Sequence, residues 1–101
     1  MERVERVEEE SLKGKHRIEY SRHAEEQLRE RNIKKTMVKE TLLKPQQLVP
    51  GKKDRKIAHR IYNIAGQDFL HRVVFVEHKD FIEVITTYLT TRIEKYWRRE
   101  S

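Results

Sequence analysis

Five histidines, four tyrosines and a scatter of arginines are the side chains of this sequence best suited to moving protons and holding phosphate. His23 stands near the start of a helix-forming stretch, whereas His59 and His71 lie inside alternating segments. Arg60 and Arg72 directly follow those two histidines, so on a strand each points to the opposite face from its neighbour. Arg92 and Tyr96 are spaced i, i+4 near the C-terminal end, one above the other on a helix. These residue types suit the cleavage of RNA without a metal. That reaction needs a base for the 2′-hydroxyl, an acid for the leaving oxygen, and cations where charge builds on the phosphate. The catalytic candidates are His23, His59, Arg60, Arg72, Arg92 and Tyr96. His23 and His59 come first among them, because an unperturbed imidazole titrates near about 6.5.

Plainer roles fit some of the same residues. His23 suits a helix start whose ring bonds a strand carbonyl, and His59 and His71 suit cross-strand neighbours on one sheet face. Tyr88 reads as core and Trp97 as a staple for a domain short of apolar mass. Other chemistries lack their signatures. There is no glycine-rich phosphate loop, no His-Glu-x-x-His and no nucleophile elbow. Asp54, Asp68 and Asp80 each sit in a turn, and His23 with Glu26 supplies only two potential ligands. With no cysteine as well, no metal and no cofactor is expected.

Charge points to a polyanionic partner. Residues 1–10 carry two basic and five acidic side chains, whereas residues 11–60 carry fifteen basic against six acidic. Residues 61–101 balance at six each, so the positive excess lies in the stretch from 11 to 60. Such asymmetry favours nucleic acid, through phosphate neutralisation and counterion release. The run Lys52, Lys53, Arg55 and Lys56 is the expected nucleic-acid-binding surface, with RNA the first candidate.

The elements that must position these residues follow from periodicity. Ile18 and Tyr20 alternate in a short strand over residues 16–20, and Ser21 offers its hydroxyl to a helix start. Ala24, Leu28 and Arg31 recur at i, i+4 and i+7, so Arg31 falls under an apolar stripe and is expected to anchor the helix pair through an ion pair. Asn32-Ile33 breaks that helix, and a second one runs to Lys44-Pro45. After Pro45 the period changes to 2. Residues 46–49 make a short approach and Pro50-Gly51 a turn. Strands are expected at residues 57–64, 69–78 and 81–89, with turns at residues 65–68 and 79–80. Thr91 and Glu94 form the pattern of a capping box for a last helix. The fold class is α+β in the order β-α-α-β-β-β-α, an antiparallel sheet with helices mainly on one face.

His23-Ala24, Arg31-Asn32-Ile33, Val38, Leu42 and Pro45, followed by three strands, resemble a small family of uncharacterised domains grouped with the RelE/ParE-like toxins. The resemblance covers roughly residues 16 to 97. It implies a RelE/ParE toxin-like fold and a toxin-like protein of a toxin–antitoxin system, with an antitoxin-like protein partner. Better-known toxins of that group cleave messenger RNA or inhibit gyrase. The resemblance therefore leaves two activities open: an endoribonuclease, or a binding module that grips nucleic acid or a protein target. One position departs from the pattern, since Gln27 stands where a basic residue is common.

At 101 residues the chain suits one domain, expected over residues 16–101, behind an appended arm over residues 1–15 that is disordered or a short helix. Only 36% of residues are hydrophobic and 40% are charged, a thin core in a solvated shell. The longest apolar run, Val73 to Val76, cannot span a bilayer, and the first residues lack a signal-peptide core. A cytoplasmic protein without a membrane partner is expected.

Overall fold

Ser21 and Asn32 set the limits of the first helix. In the computed structural model, which describes residues 17–99, Ser21 Oγ accepts from the Ala24 amide at 3.0 Å and opens helix α1, Arg22–Glu30. The same hydroxyl donates to the Ile85 carbonyl at 3.0 Å, which ties the helix start to the sheet. At the other end Asn32 takes a positive φ of 55°. The Ile33 amide then reaches the Leu28 carbonyl at 2.9 Å and the Asn32 amide reaches the Arg29 carbonyl at 3.4 Å. That pair of bonds is a Schellman stop, with Ile33 buried beside Leu28 as its apolar contact.

A second helix, α2, runs over Lys35–Leu43, and four residues, Ile93–Tyr96, make a short α3. The strands are β1, Arg17–Tyr20; β2, Gln47–Pro50; β3, Arg55–Ile64; β4, Gln67–Glu77; and β5, Phe81–Thr90. Their order across the sheet is β1-β5-β4-β3-β2. β2 to β5 form an antiparallel meander, but β1 pairs with β5 in parallel, so the sheet is mixed rather than antiparallel throughout. The approach over residues 46–49 is itself a strand. Alternation sets which face a side chain takes, but not the direction or partner of a strand, and β2 has only four residues to show it.

Ala24, Leu28, Ile33, Val38 and Leu42 from the helices meet Ala58, Val73, Phe75, Ile82 and Val84 from the sheet. Each large apolar side chain buried there contributes about 1.5–3 kcal/mol. Ile85 has no cross-strand partner, because Val74 faces Thr86 and Phe75 faces Val84. Gln27 serves this bulge: its Oε1 accepts from the Thr87 amide at 3.0 Å and from the Thr86 hydroxyl. The departure at position 27 thus has a structural use, since a lysine or arginine there has no acceptor to offer those donors.

β3 and β4 join through Ala65-Gly66, whose φ values of 54° and 85° give a two-residue turn of the primed type. The expected four-residue turn is therefore too long. Alanine pays a steric cost in that conformation, so Ala65→Gly is expected to raise stability by roughly 0.5–1 kcal/mol in urea denaturation. An unchanged or lower midpoint would contradict it.

The expected capping box at α3 does not form. Arg92 is the N-cap residue and makes no side-chain cap bond, and its amide is taken by the Thr90 hydroxyl at 3.1 Å. Among the described residues, no helix is long and apolar enough to cross a membrane. The arm expected over residues 1–15 lies outside the described residues.

Candidate active site

The pairing of strands assembles a polar row on the sheet face opposite α1 and α2. Gln47 faces His59, His59 faces Arg72, and Arg72 faces Tyr88, one residue from each of four neighbouring strands. The next row, Ala58, Val73 and Thr87, belongs to the helix side, where Ala58 and Val73 are core. α3 supplies a second layer over the polar row. Tyr96 lies on the Arg72 guanidinium, with the carbon 4.0 Å from the ring centre, and Trp97 stacks on His59 at 6.2 Å and 22°.

Gln47 holds this layer down. Its amide nitrogen donates to the Arg98 carbonyl, and its Oε1 accepts from the Arg98 amide at 3.1 Å. One edge-strand side chain therefore fixes the segment that carries Tyr96 and Trp97.

Arg72 is the hub. Its Nε donates to His59 Nε2 at 3.0 Å and its Nη1 donates to the Tyr88 hydroxyl at 2.5 Å. Because His59 Nε2 accepts, its proton sits on Nδ1, which points at Gln47 Oε1 at 3.3 Å. Burial, and then the positive charge of Arg72, push the His59 imidazole down to about 4. His59 is thus neutral at ordinary pH and fully buried, with its Nε2 occupied by Arg72.

The two tyrosines diverge. Burial and then its hydrogen bond to Tyr96 raise Tyr88, whereas the hydrogen bond from Tyr88, with the charges of Lys95 and Arg72, lowers Tyr96 below the usual tyrosine value. A pair of hydroxyls driven apart, beside a fixed guanidinium, is of the kind that suits acid–base chemistry. Arg31 adds a second cation, with its guanidinium carbon 5.9 Å from the Tyr88 ring centre.

Of the candidates read from the sequence, the strand pairing and α3 bring together His59, Arg72 and Tyr96. The others lie elsewhere. His23 is exposed in the first turn of α1 and takes part in none of these contacts. Arg60 is on the helix side, where its Nη1 donates to the Lys44 carbonyl at 2.7 Å and so satisfies the end of α2. Its Nε is buried without a partner. Arg92 is exposed ahead of α3. His59 and His71 are not neighbours on one face, because His59 faces Arg72 and His71 faces Arg60. Arg31 is exposed and makes no ion pair among the described residues, contrary to the expected anchor.

The basic run is divided. Lys52, Lys53 and Arg55 are exposed around the turn between β2 and β3, and Arg55 shares the face of His59 four residues away, roughly 13 Å along the strand. Lys56 instead pairs with Glu77 at 2.6 Å. Tyr88 and Gln47 were missed as site residues. Their signal was register, which places them in line with His59 and Arg72. Among the described residues, no three His, Cys, Asp or Glu side chains gather as metal ligands would.

Residues 20–89 match the family described as Domain of unknown function (DUF4258). The chain belongs to that family. The match runs from the end of β1 through β5, so the DUF4258 span holds Gln47, His59, Arg72 and Tyr88, while Tyr96 and Trp97 follow it. No curated protein and no solved structure matches the chain.

Proposed function

We propose that this DUF4258 protein is a metal-independent endoribonuclease of the toxin type, with its working centre at Arg72, Tyr88 and Tyr96. The observation that carries the reading is the opposed pair of tyrosine hydroxyls beside a guanidinium fixed from two sides. In this mechanism Tyr96 starts as the phenolate, its oxygen takes the proton of an RNA 2′-hydroxyl, and the freed 2′-oxygen attacks the adjacent phosphorus. Arg72, with Arg31 beside it, holds the phosphate oxygens as charge builds. The bond from phosphorus to the 5′-oxygen breaks, and that oxygen takes the Tyr88 proton. The hydrogen bond between the tyrosines then returns the proton from Tyr96 to Tyr88. The products are a 2′,3′-cyclic phosphate and a free 5′-hydroxyl. Lys52, Lys53 and Arg55 serve as non-specific backbone contacts, and an antitoxin-like protein would mask the same face. The RelE/ParE-like resemblance of the helix pair supports this reading.

The test is to incubate the purified full chain with a defined single-stranded RNA in the presence of EDTA. Cleavage leaving cyclic phosphate ends is expected, and a 2′-deoxy nucleotide at the cut position should block it. Binding that weakens steeply with salt but produces no cleavage would replace the nuclease with a binding module.

A further inference from the structure

The free half of the β3 edge, on the far side of the sheet from Arg72, has features that the ribonuclease reading does not use. β2 pairs with β3 only as far as Gln47 opposite His59. Beyond that point the Gln46 amide bonds the His59 carbonyl at 2.8 Å and the Gln46 side chain takes the Ile61 amide at 2.7 Å. The chain then leaves toward α2 through Pro45. Residues of one strand alternate their backbone groups between its two edges, so the Ile61 carbonyl and the Asn63 amide and carbonyl point out of this edge. Among the described residues no strand lies beside them.

A cleft of about 580 Å³ runs along the flank of α2 and reaches β3 at Tyr62, within this free half. Its apolar lining is Met37, Leu43 and Tyr62, and its rim carries Lys34, Lys39 and Lys44. The one carboxylate in the lining, Glu40, accepts from the Tyr62 hydroxyl at 3.1 Å. The two large hydrophobic residues most exposed among the described residues, Leu48 at 54% and Ile64 at 39%, flank the same edge. Leu48 faces Ala58, and Ile64 alternates with Tyr62, so both share the cleft's side of the sheet. Unpaired backbone, apolar side chains and a lysine rim are each what one kind of ligand would satisfy.

We propose that the β3 edge and the α2 cleft form a docking site for an extended acidic segment of a partner protein. The segment adds as a strand along residues 61–64, and among the alternate side chains it turns to the helix side, apolar ones meet Met37, Leu43 and Tyr62 while carboxylates meet the three lysines. Main-chain bonds supply affinity, while the pocket and its rim supply selectivity. The site is on the helix side of the sheet, so it stands or falls apart from the ribonuclease reading.

The probe is a short capped peptide of repeating Val-Ser-Glu-Ser, which turns Val and Glu to one face of a strand, titrated into the ¹⁵N-labelled full chain. Amide shifts are expected at residues 61–64 and along α2 from 34 to 44, with Tyr88 and Arg72 unmoved. Methylating the peptide nitrogens that face the edge should weaken binding at least about tenfold, since it removes the ladder and leaves the side chains intact. The exposed double change Lys34→Glu with Lys39→Glu should weaken it similarly. Equal binding of the methylated peptide would overturn strand addition, and equal binding of the same peptide with Lys in place of Glu would overturn the acidic partner. Shifts confined to the Arg72 face would overturn the site. So would 1-anilinonaphthalene-8-sulfonate filling the cleft while the peptide leaves it untouched, which would make it a small-molecule pocket.

Discussion

Arg72→Ala is expected to lower RNA cleavage by two to three orders of magnitude, about the loss seen when one fixed donor to a developing oxyanion is removed. Arg72 is held by His59 on one side and Tyr88 on the other, so it meets a phosphate without first giving up freedom. Tyr96→Phe keeps the ring over the guanidinium and removes only the oxygen. It should therefore cut the rate by roughly 10²–10⁴ while RNA affinity stays near that of the parent protein. His59→Gln should have a smaller effect, because His59 acts through Arg72. Its signature would be a lower rate at saturating RNA with the pH profile unmoved, since the imidazole is already neutral. If His59→Gln shifted the profile while Tyr96→Phe left the rate intact, the tyrosine assignment would be wrong. The assay reads single-turnover cleavage, so product release does not hide the chemical step.

Much of the fold was legible because its signals are local. Ser21 announced a helix start that its hydroxyl does cap, and Asn32-Ile33 announced a stop that takes the left-handed turn asparagine tolerates. The period change at Pro45 separated helices from meander. What escaped was long-range. Nothing local tells that residues 17–20 lie parallel to residues 81–84, on the opposite edge from β2. The family match confirms an uncharacterised domain, and the α+β class with three helices agrees with the periodicity.

The candidate site was half legible for a related reason. A turn of four residues, 65–68, would place Ile64 opposite Phe69, whereas the two-residue turn places it opposite Gln67. With the true turn, counting back along both strands sets His59 opposite Arg72. The sequence placed Arg60 and Arg72 away from their neighbouring histidines, which is right. It did not say that one of them meets the other strand's histidine. Tyr88 read as core because its strand is apolar, although it is only half-buried.

Stability should fall steeply as the pH drops from about 6.5 to about 4, and His71 supplies much of the reason. His71 is fully buried beneath α2, with Nδ1 2.7 Å from the Thr41 hydroxyl and Nε2 2.7 Å from the Thr87 hydroxyl. The Tyr62 hydroxyl donates to Glu40 at 3.1 Å, so Thr41, 2.9 Å away, donates to Tyr62 and accepts from His71 Nδ1. Thr87 must then donate to Nε2. A single direction of donation runs from Thr87 to Glu40, and it requires a neutral ring. Burial holds that ring at about 4, and His59 is likewise held at about 4. The unfolded chain takes up these protons near about 6.5, so between the two values it binds more protons than the folded chain. Stability contributed by the neutral rings is therefore complete above about 6.5, and each histidine loses up to about 1.4 kcal/mol per pH unit on the way down. The loss levels off below about 4, where both states are protonated. Urea midpoints at pH 7 and pH 5 should differ by the summed amount. In His71→Asn the difference should shrink by the His71 share, although the variant is less stable at both values. Midpoints that do not change between pH 7 and pH 5 would mean that neither ring is neutral for the reason given, and the direction of the Thr87-to-Glu40 chain would have to be abandoned.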